Sequence, residues 1–280
     1  MAAIHIDRAL SVYLCHPLAR RLRRRPQPRI PILMYHSIGE GGGRRPYYET
    51  NTSSEVFARQ MKFLRENRYK ALNLDEAVSA LAGQGSSEKA VVISFDDGYR
   101  DFYSHAYPIL AECGFTATVF VVTQLLKSPR KGFKGKECLT PADIRELHAQ
   151  GVRFGSHTAT HPELKALSHA EVECELKGSK QDLEDTLGAP IQSFSFPFAF
   201  PETDREFVGS LAKLLGACGY ANGVTTILGT ARPTSHRFFL PRLPISSFDD
   251  LRFFRAKLEG AYDWLHAPQY LVKAVQGFLS

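Results

Sequence analysis

Two short stretches carry side chains whose types and spacing suit hydrolysis at a divalent metal. In Val91-Val92-Ile93-Ser94-Phe95-Asp96-Asp97-Gly98, a run of β-formers leads straight into two adjacent carboxylates and a glycine. Such a run reads as a strand buried on both faces that delivers charge to the rim of a sheet. Neighbouring strand residues point to opposite sides, so the chain must leave the regular pleat at Gly98 if both carboxylates serve one site. Like charges this close resist joint ionisation unless a cation sits beside one of them. An ordinary Asp-Gly turn has the same composition, and the pair alone does not separate the two readings. In His157-Thr158-Ala159-Thr160-His161-Pro162 the two imidazoles stand four positions apart. Pro162 and the strand before it place them in a loop at a strand end, where both can converge on one point. With a carboxylate from another strand they make a two-histidine, one-carboxylate face that keeps coordination positions open.

Such a face needs strands that end on one rim. Ile32-Leu33-Met34-Tyr35-His36 reads as a buried strand closing on a histidine, followed by a Gly39 to Gly43 loop. A helix capped at Ser53 or Ser54 runs to Asn67, a second spans Leu74 to Leu81, and a polar Gly83 to Lys89 loop leads into the Val91 strand. Next come a helix over Tyr99 to Cys113, a strand over Thr116 to Val122, a Lys127 to Lys136 loop and a helix opened by Thr140-Pro141. Strands at Val152 to His157 and Ile191 to Phe196 flank a helix over Ala170 to Leu187. The chain continues with a helix around Phe207 to Leu215, strands near Tyr220 to Thr226 and Phe238 to Leu243, and a last helix from Phe248 to Leu258. Strand-helix units repeated about seven times without a linker indicate an α/β fold, a closed parallel barrel, with an open doubly wound sheet as the alternative. In a barrel His36, Asp96-Asp97, His157, His161 and Phe196-Pro197-Phe198 all fall at C-terminal strand ends, the rim that carries active sites.

Ser94-Phe95-Asp96-Asp97-Gly98 resembles the Thr/Ser-Phe-Asp-Asp-Gly motif of the polysaccharide deacetylases, the NodB-homology domain of carbohydrate esterase family 4. His157-x-x-x-His161-Pro162 resembles their His-Ser/Thr-x-x-His-Pro motif. The likeness covers residues 30 to 245 or so and implies a distorted (β/α) barrel of seven strands, with Asp96 as catalytic base. It also implies that Asp97, His157 and His161 bind a divalent metal, zinc in the first place, with Co²⁺, Ni²⁺ or Fe²⁺ as alternatives. The family's third motif, Arg-x-Pro-Tyr/Phe, appears here as Ser195-Phe196-Pro197-Phe198, without the arginine that braces the base. The later Trp and Leu-x-His motifs are absent too. Leu33-Met34-Tyr35-His36 resembles the early Leu-x-Tyr-His element of one branch and makes His36 the candidate general acid. Arg242, in Leu240-Pro241-Arg242-Leu243-Pro244, either supplies the missing cation or packs as a buried strand-end residue. Substrate-binding residues are expected at Tyr35, Phe196, Pro197, Phe198 and Arg242.

The implied activity is hydrolysis of an N-acetyl group on an amino sugar or glycan, which is a metal-dependent deacetylase reaction. An O-acetyl esterase, deformylase or cyclic amidase on the same scaffold is the nearest alternative, and a non-catalytic sugar-binding protein is one of another class. With 280 residues and 44% hydrophobic content the chain can bury a full core. The division expected is a basic N-terminal extension over residues 1–30 and one catalytic domain over 31–280. The formal charge of +6 is largely local, since residues 19–25 hold five arginines, and no nucleic-acid motif follows. That basic, weakly amphipathic segment reads as a solvated tail or a membrane-surface contact through residues 1–25, with a lipid-linked sugar as the substrate in the second case. Five scattered cysteines without Cys-x-x-Cys argue against a disulfide framework. Without a signal-like or membrane-spanning run, the expected location is the cytoplasm or the inner face of its membrane.

Overall fold

Ala90–Phe95 is buried at every position, and its side chains divide between two cores by parity. Val91, Ile93 and Phe95 pack outward with Leu33, Tyr35, Phe57 and Met61, while Ala90 and Val92 pack inward with Ile32, Phe120, Val224 and Leu240. This is the period-two alternation of a strand with helices outside it and a filled barrel inside it.

The computed structural model describes residues 6–22, 28–39, 50–85, 88–127 and 132–279. Its strands are β1 (Ile32–Tyr35), β2 (Ser37–Ile38), β3 (Asn51–Thr52), β4 (Lys70–Leu72), β5 (Ala90–Phe95), β6 (Thr118–Val121), β7 (Arg153–Ser156), β8 (Ser193–Ser195), β9 (Asn222–Leu228) and β10 (Leu240–Pro244). Its α-helices are α1 (Ile6–Ala9), α2 (His16–Leu22), α3 (Ser54–Glu66), α4 (Leu74–Leu81), α5 (Tyr107–Cys113), α6 (Pro141–Ala149), α7 (His169–Leu187), α8 (Arg205–Ala217), α9 (Leu251–Leu258) and α10 (His266–Leu279). Parallel pairing runs β1-β10-β9-β8-β7-β6-β5, and β5 pairs back onto β1, so seven strands close a barrel. Closure decides against the open sheet. β4 lies outside the ring, pairing Lys70–Leu72 with the first half of β5 while β1 takes the second half. β2 and β3 form a separate small sheet beside the rim.

The expected elements are present with ends moved by a few residues. Ser53 caps α3, and Thr140 forms a capping box with Asp143 ahead of Pro141, so the first-turn donors have partners. β4 escapes sequence reading because three residues, one exposed and one half-buried, carry no periodicity. The last helix is not Phe248 to Leu258: Asp250 caps α9 and α10 follows. The N-terminal segment is docked rather than solvated over residues 6–16, while Leu18 and Arg21 are exposed. Ser11 is fully buried, Val12 packs on the core, His16 pairs with Glu259, and Trp264 donates its indole N–H to Ser11. Arg23–Arg25 and the expected loop residues 40–43, 86–87 and 128–131 lie outside the described residues. Among the described residues no helix is long and apolar enough to cross a membrane.

Candidate active site

The inward parity of β5 continues through Ser94 to Asp96, and there it meets Arg242, inward on β10. The guanidinium grips the carboxylate with both arms, Nη1 to Oδ1 at 2.8 Å and Nη2 to Oδ2 at 2.7 Å. Both side chains are buried. Ser195 Oγ donates to Asp96 Oδ1 at 3.2 Å, and Arg242 Nε donates to the Thr225 carbonyl at 2.9 Å. Burial alone would push the Asp96 carboxyl up, but the Arg242 charge and its two hydrogen bonds outweigh it and hold Asp96 ionised, well below the usual range. Arg242 therefore supplies the cation missing from the Ser195-Phe196-Pro197-Phe198 stretch, from a strand on the other side of the ring closure.

One residue later the strand breaks. Asp97 has φ +70°, a conformation that L-residues avoid, so the pleat is left at Asp97 and not first at Gly98. The turn keeps Asp97 from pointing outward and brings Oδ1 to 3.6 Å from His157 Nε2 and 3.5 Å from His161 Nε2. Two ligands on one tetrahedral zinc ion, each about 2.0–2.1 Å away, stand about 3.4 Å apart, so the spacing fits a shared ion. All three donor atoms lie within 4.8 Å of one another. His157 Nδ1 faces the Ser195 carbonyl at 2.8 Å, which fixes the N–H there and leaves the Nε2 lone pair toward Asp97. Burial, then His157, hold the His161 imidazole below its ordinary range, in the neutral form a metal requires.

The loop that carries the two histidines is strained and held. Thr158 and His161 both have positive φ, as does Phe198 nearby. The Glu175 carboxylate, from α7, accepts from Ala159 N at 2.8 Å, Thr160 N at 2.9 Å and Thr160 Oγ1 at 2.7 Å. Thr158 Oγ1 accepts from His161 N at 2.9 Å. Glu175→Gln removes the charge that offsets the strain, so metal affinity is expected to fall about 10–100-fold, as for other outer partners of ligand loops. Competition against a chromophoric chelator measures it, and an unchanged affinity would show that the loop does not need Glu175.

The mouth is aromatic and basic. Phe198 is 51% exposed with its ring centroid 4.6 Å from that of His161, and Phe133 stands 5.2 Å from His161. Phe133 belongs to a tight turn closed by its hydrogen bonds with Lys136, whose ammonium is fixed by Asn51 at 3.0 Å. Lys134 at its tip reaches to 3.5 Å from Asp97 Oδ2, the carboxylate oxygen turned away from the histidines. Tyr99 hydrogen-bonds the same carboxylate. His36 is half-buried between this centre and a cavity of about 150 Å³ lined also by Met34, Pro244, Ile245, Asp249 and Lys257. Burial lowers its pKa, while Asp96 and Asp97 pull it back up.

Four of the five expected substrate contacts are corrected. Tyr35 shares the outward parity of Phe95, is fully buried against Phe57 and Phe95, and donates to Gln60 Oε1 at 2.8 Å. Phe196 is outward too, packed on Phe200 at 4.9 Å between ring centroids. Arg242 is inside the barrel, bound to Asp96 rather than open to a ligand. Pro197 is buried, and Phe198 alone of the Phe-Pro-Phe stretch faces the mouth. Sequence reading passed over Ser195, Glu175, Tyr99, Phe133 and Lys134. The inward parity of Ser195 was the one signal available; the others act across the fold and had none.

The sequence profile described as polysaccharide deacetylase matches residues 83–217, a span that holds Asp96, Asp97, His157 and His161. A Bacillus subtilis relative, named for the polysaccharide deacetylases, is 32% identical over 219 residues, which span 78% of this chain and 72% of the relative. The poly-beta-1,6-N-acetyl-D-glucosamine N-deacetylase of Staphylococcus aureus is 22% identical over 205 residues, 70% of this chain and 68% of that one. Among solved structures, the deacetylase PplD of Streptococcus pyogenes in complex with acetate superposes with a TM-score of 0.70 at 26% identity. That match covers 83% of this chain and 99% of the other.

Proposed function

Because this chain belongs to the polysaccharide deacetylase family, we propose that it hydrolyses the N-acetyl group of an amino sugar within a glycan, at a zinc ion held by Asp97, His157 and His161. The observation that carries this reading is the meeting of two sites in one rim: an ionised Asp96 fixed by Arg242, and beside it three donors spaced for one cation. Bound there, a divalent ion supplies a Lewis acid that acidifies water and polarises a carbonyl oxygen. Asp96 takes the proton of the attacking water as its oxygen bonds to the acetyl carbon. The carbon–nitrogen bond then breaks, acetate departs, and the amine receives a proton from His36. Burial favours the neutral His36 ring, and the negative charge that develops on the substrate works the other way, drawing a proton onto it. Phe198 and Phe133 offer apolar faces on either side of His161, against which a sugar ring can lie.

An amide substrate makes the fullest use of a histidine acid, because an amine leaves only once it is protonated, whereas a sugar alkoxide departs more readily. The name of the Staphylococcus aureus relative supports an N-acetylated glucosamine polymer as the class to try first. Acetate released from N-acetylglucosamine oligomers and from O-acetylated sugars, before and after chelation, tests the reading. Turnover of the amide is expected to disappear with the metal and return with stoichiometric zinc. Release from esters alone would replace the deacetylase by an esterase, and turnover indifferent to chelation would remove the metal.

A further inference from the structure

Ten large hydrophobic side chains are exposed among the described residues, and eight of them lie on the two terminal helical segments, Ile6–Leu22 and α10. On the first, Ile6, Tyr13, Leu14 and Leu18 are half or more exposed, while Arg8, Val12 and His16 face the barrel. On the second, Tyr270, Leu271, Val272 and Val275 are between 40% and 63% exposed, while His266, Gln269 and Lys273 hold Glu202 and the Thr226 carbonyl. The docked residues, three or four positions apart, share one face of each segment, and the exposed ones lie on the other side. The segments are tied together through their connection to α9: Trp264 donates to Ser11 at 3.0 Å and Tyr262 to Asp7 at 3.2 Å. Both also abut the rim of the active site, since Arg8 donates to the Phe248 carbonyl beyond β10 and α10 grips Glu202, four residues after Phe198.

Exposed apolar area on this scale, gathered at two chain ends, marks a surface that is covered in use. Charge selects the cover. Residues 8–39 and 264–280 contain no aspartate or glutamate, whereas the first stretch carries Arg20, Arg21, Arg23, Arg24 and Arg25. The acids that neighbour the stripes in the fold are paired, Asp7 with Tyr262, Asp250 with Arg8, Glu259 with His16 and Glu202 with Lys273. Apolar stripes next to a sequence this rich in arginine fit the boundary between headgroups and acyl chains of an anionic bilayer. We propose that the two terminal helical segments bind the surface of an anionic membrane without crossing it, which holds the mouth of the active site beside that surface.

The test is sedimentation of the full-length protein with vesicles of phosphatidylcholine alone or mixed with phosphatidylglycerol. Binding to the mixed vesicles is expected, weakening with added salt as exposed charges are screened. Leu14→Asp with Leu18→Asp, and separately Leu271→Asp with Val275→Asp, are each expected to lower vesicle affinity about tenfold or more. Because all four side chains are exposed, circular dichroism and acetate release from a soluble substrate should match the parent protein. Absence of binding to the mixed vesicles would overturn the proposal, as would affinity unchanged in both variants. A parent protein that is dimeric in light scattering, with variants that turn monomeric, would equally overturn it and assign the face to a second copy.

Discussion

Asp96→Asn is expected to lower kcat/KM for acetate release by about 10²–10⁴-fold, the usual contribution of a positioned general base. The substitution keeps the shape of the side chain but removes its capacity to take a proton, together with its negative charge and one of the two oxygens that accept from Arg242. Asp96 is not among the donors that converge on Oδ1 of Asp97, so the variant should retain one metal per chain. Measuring metal content and turnover on the same preparation separates the roles of the two adjacent carboxylates. Full activity in a metal-loaded variant would deny Asp96 its role, and loss of the metal would reassign Asp96 to the ligand set. The effect is large because, among the described residues, the adjacent buried acid is committed elsewhere: Asp97 is turned toward the histidines and Lys134.

Arg242→Met is expected to destabilise the fold by about 3–5 kcal/mol at neutral pH, because it strands a buried carboxylate without its counter-charge. The sign with pH follows from linkage. In the parent protein the Asp96 pKa is depressed, so the pair stabilises the fold above the unfolded carboxylate value of about 3.9 and that contribution fades as pH falls through the folded value. In the variant, burial meets only the remaining pull of His157 and His36, and the Asp96 pKa rises from its parent value, so the deficit relative to the parent should shrink from pH 7 toward acid. Denaturant melts at neutral and mildly acidic pH check this, and a deficit that grew in acid would contradict the account. Asp96→Asn with Arg242→Met together should cost less than the two singles summed, since the second change no longer strands a charge. Activity in Arg242→Met is expected to fall about 10²-fold although its carboxylate would be the stronger base, because a base out of position loses more than basicity returns. Lysine at 242 should restore little of this, having no fork to hold both carboxylate oxygens.

Much of this protein was determined by near neighbours in sequence. The buried run into Asp96-Asp97, the histidine pair followed by proline, and the alternation of strand and helix depend on local periodicity and on residue type, and these survive without coordinates. Parity along each strand was there to be read as well. Counting in twos from Val92 puts Asp96 inward, and the same count on β1 and β8 puts Tyr35 and Phe196 outward, which is why neither reaches the site. The tertiary structure alone decided the rest. Asp96 and Arg242 stand 146 positions apart, and no local rule brings β10 across the barrel to β5; the closing register of the ring does so. Likewise the left-handed turn at Asp97, the grip of Glu175 on the histidine loop and the docking of the first helix each arise where segments far apart in sequence share one space. Local pattern sets which side chains face inward at a strand end, whereas their partners there are set by closure, because a ring fixes every strand against two others at once.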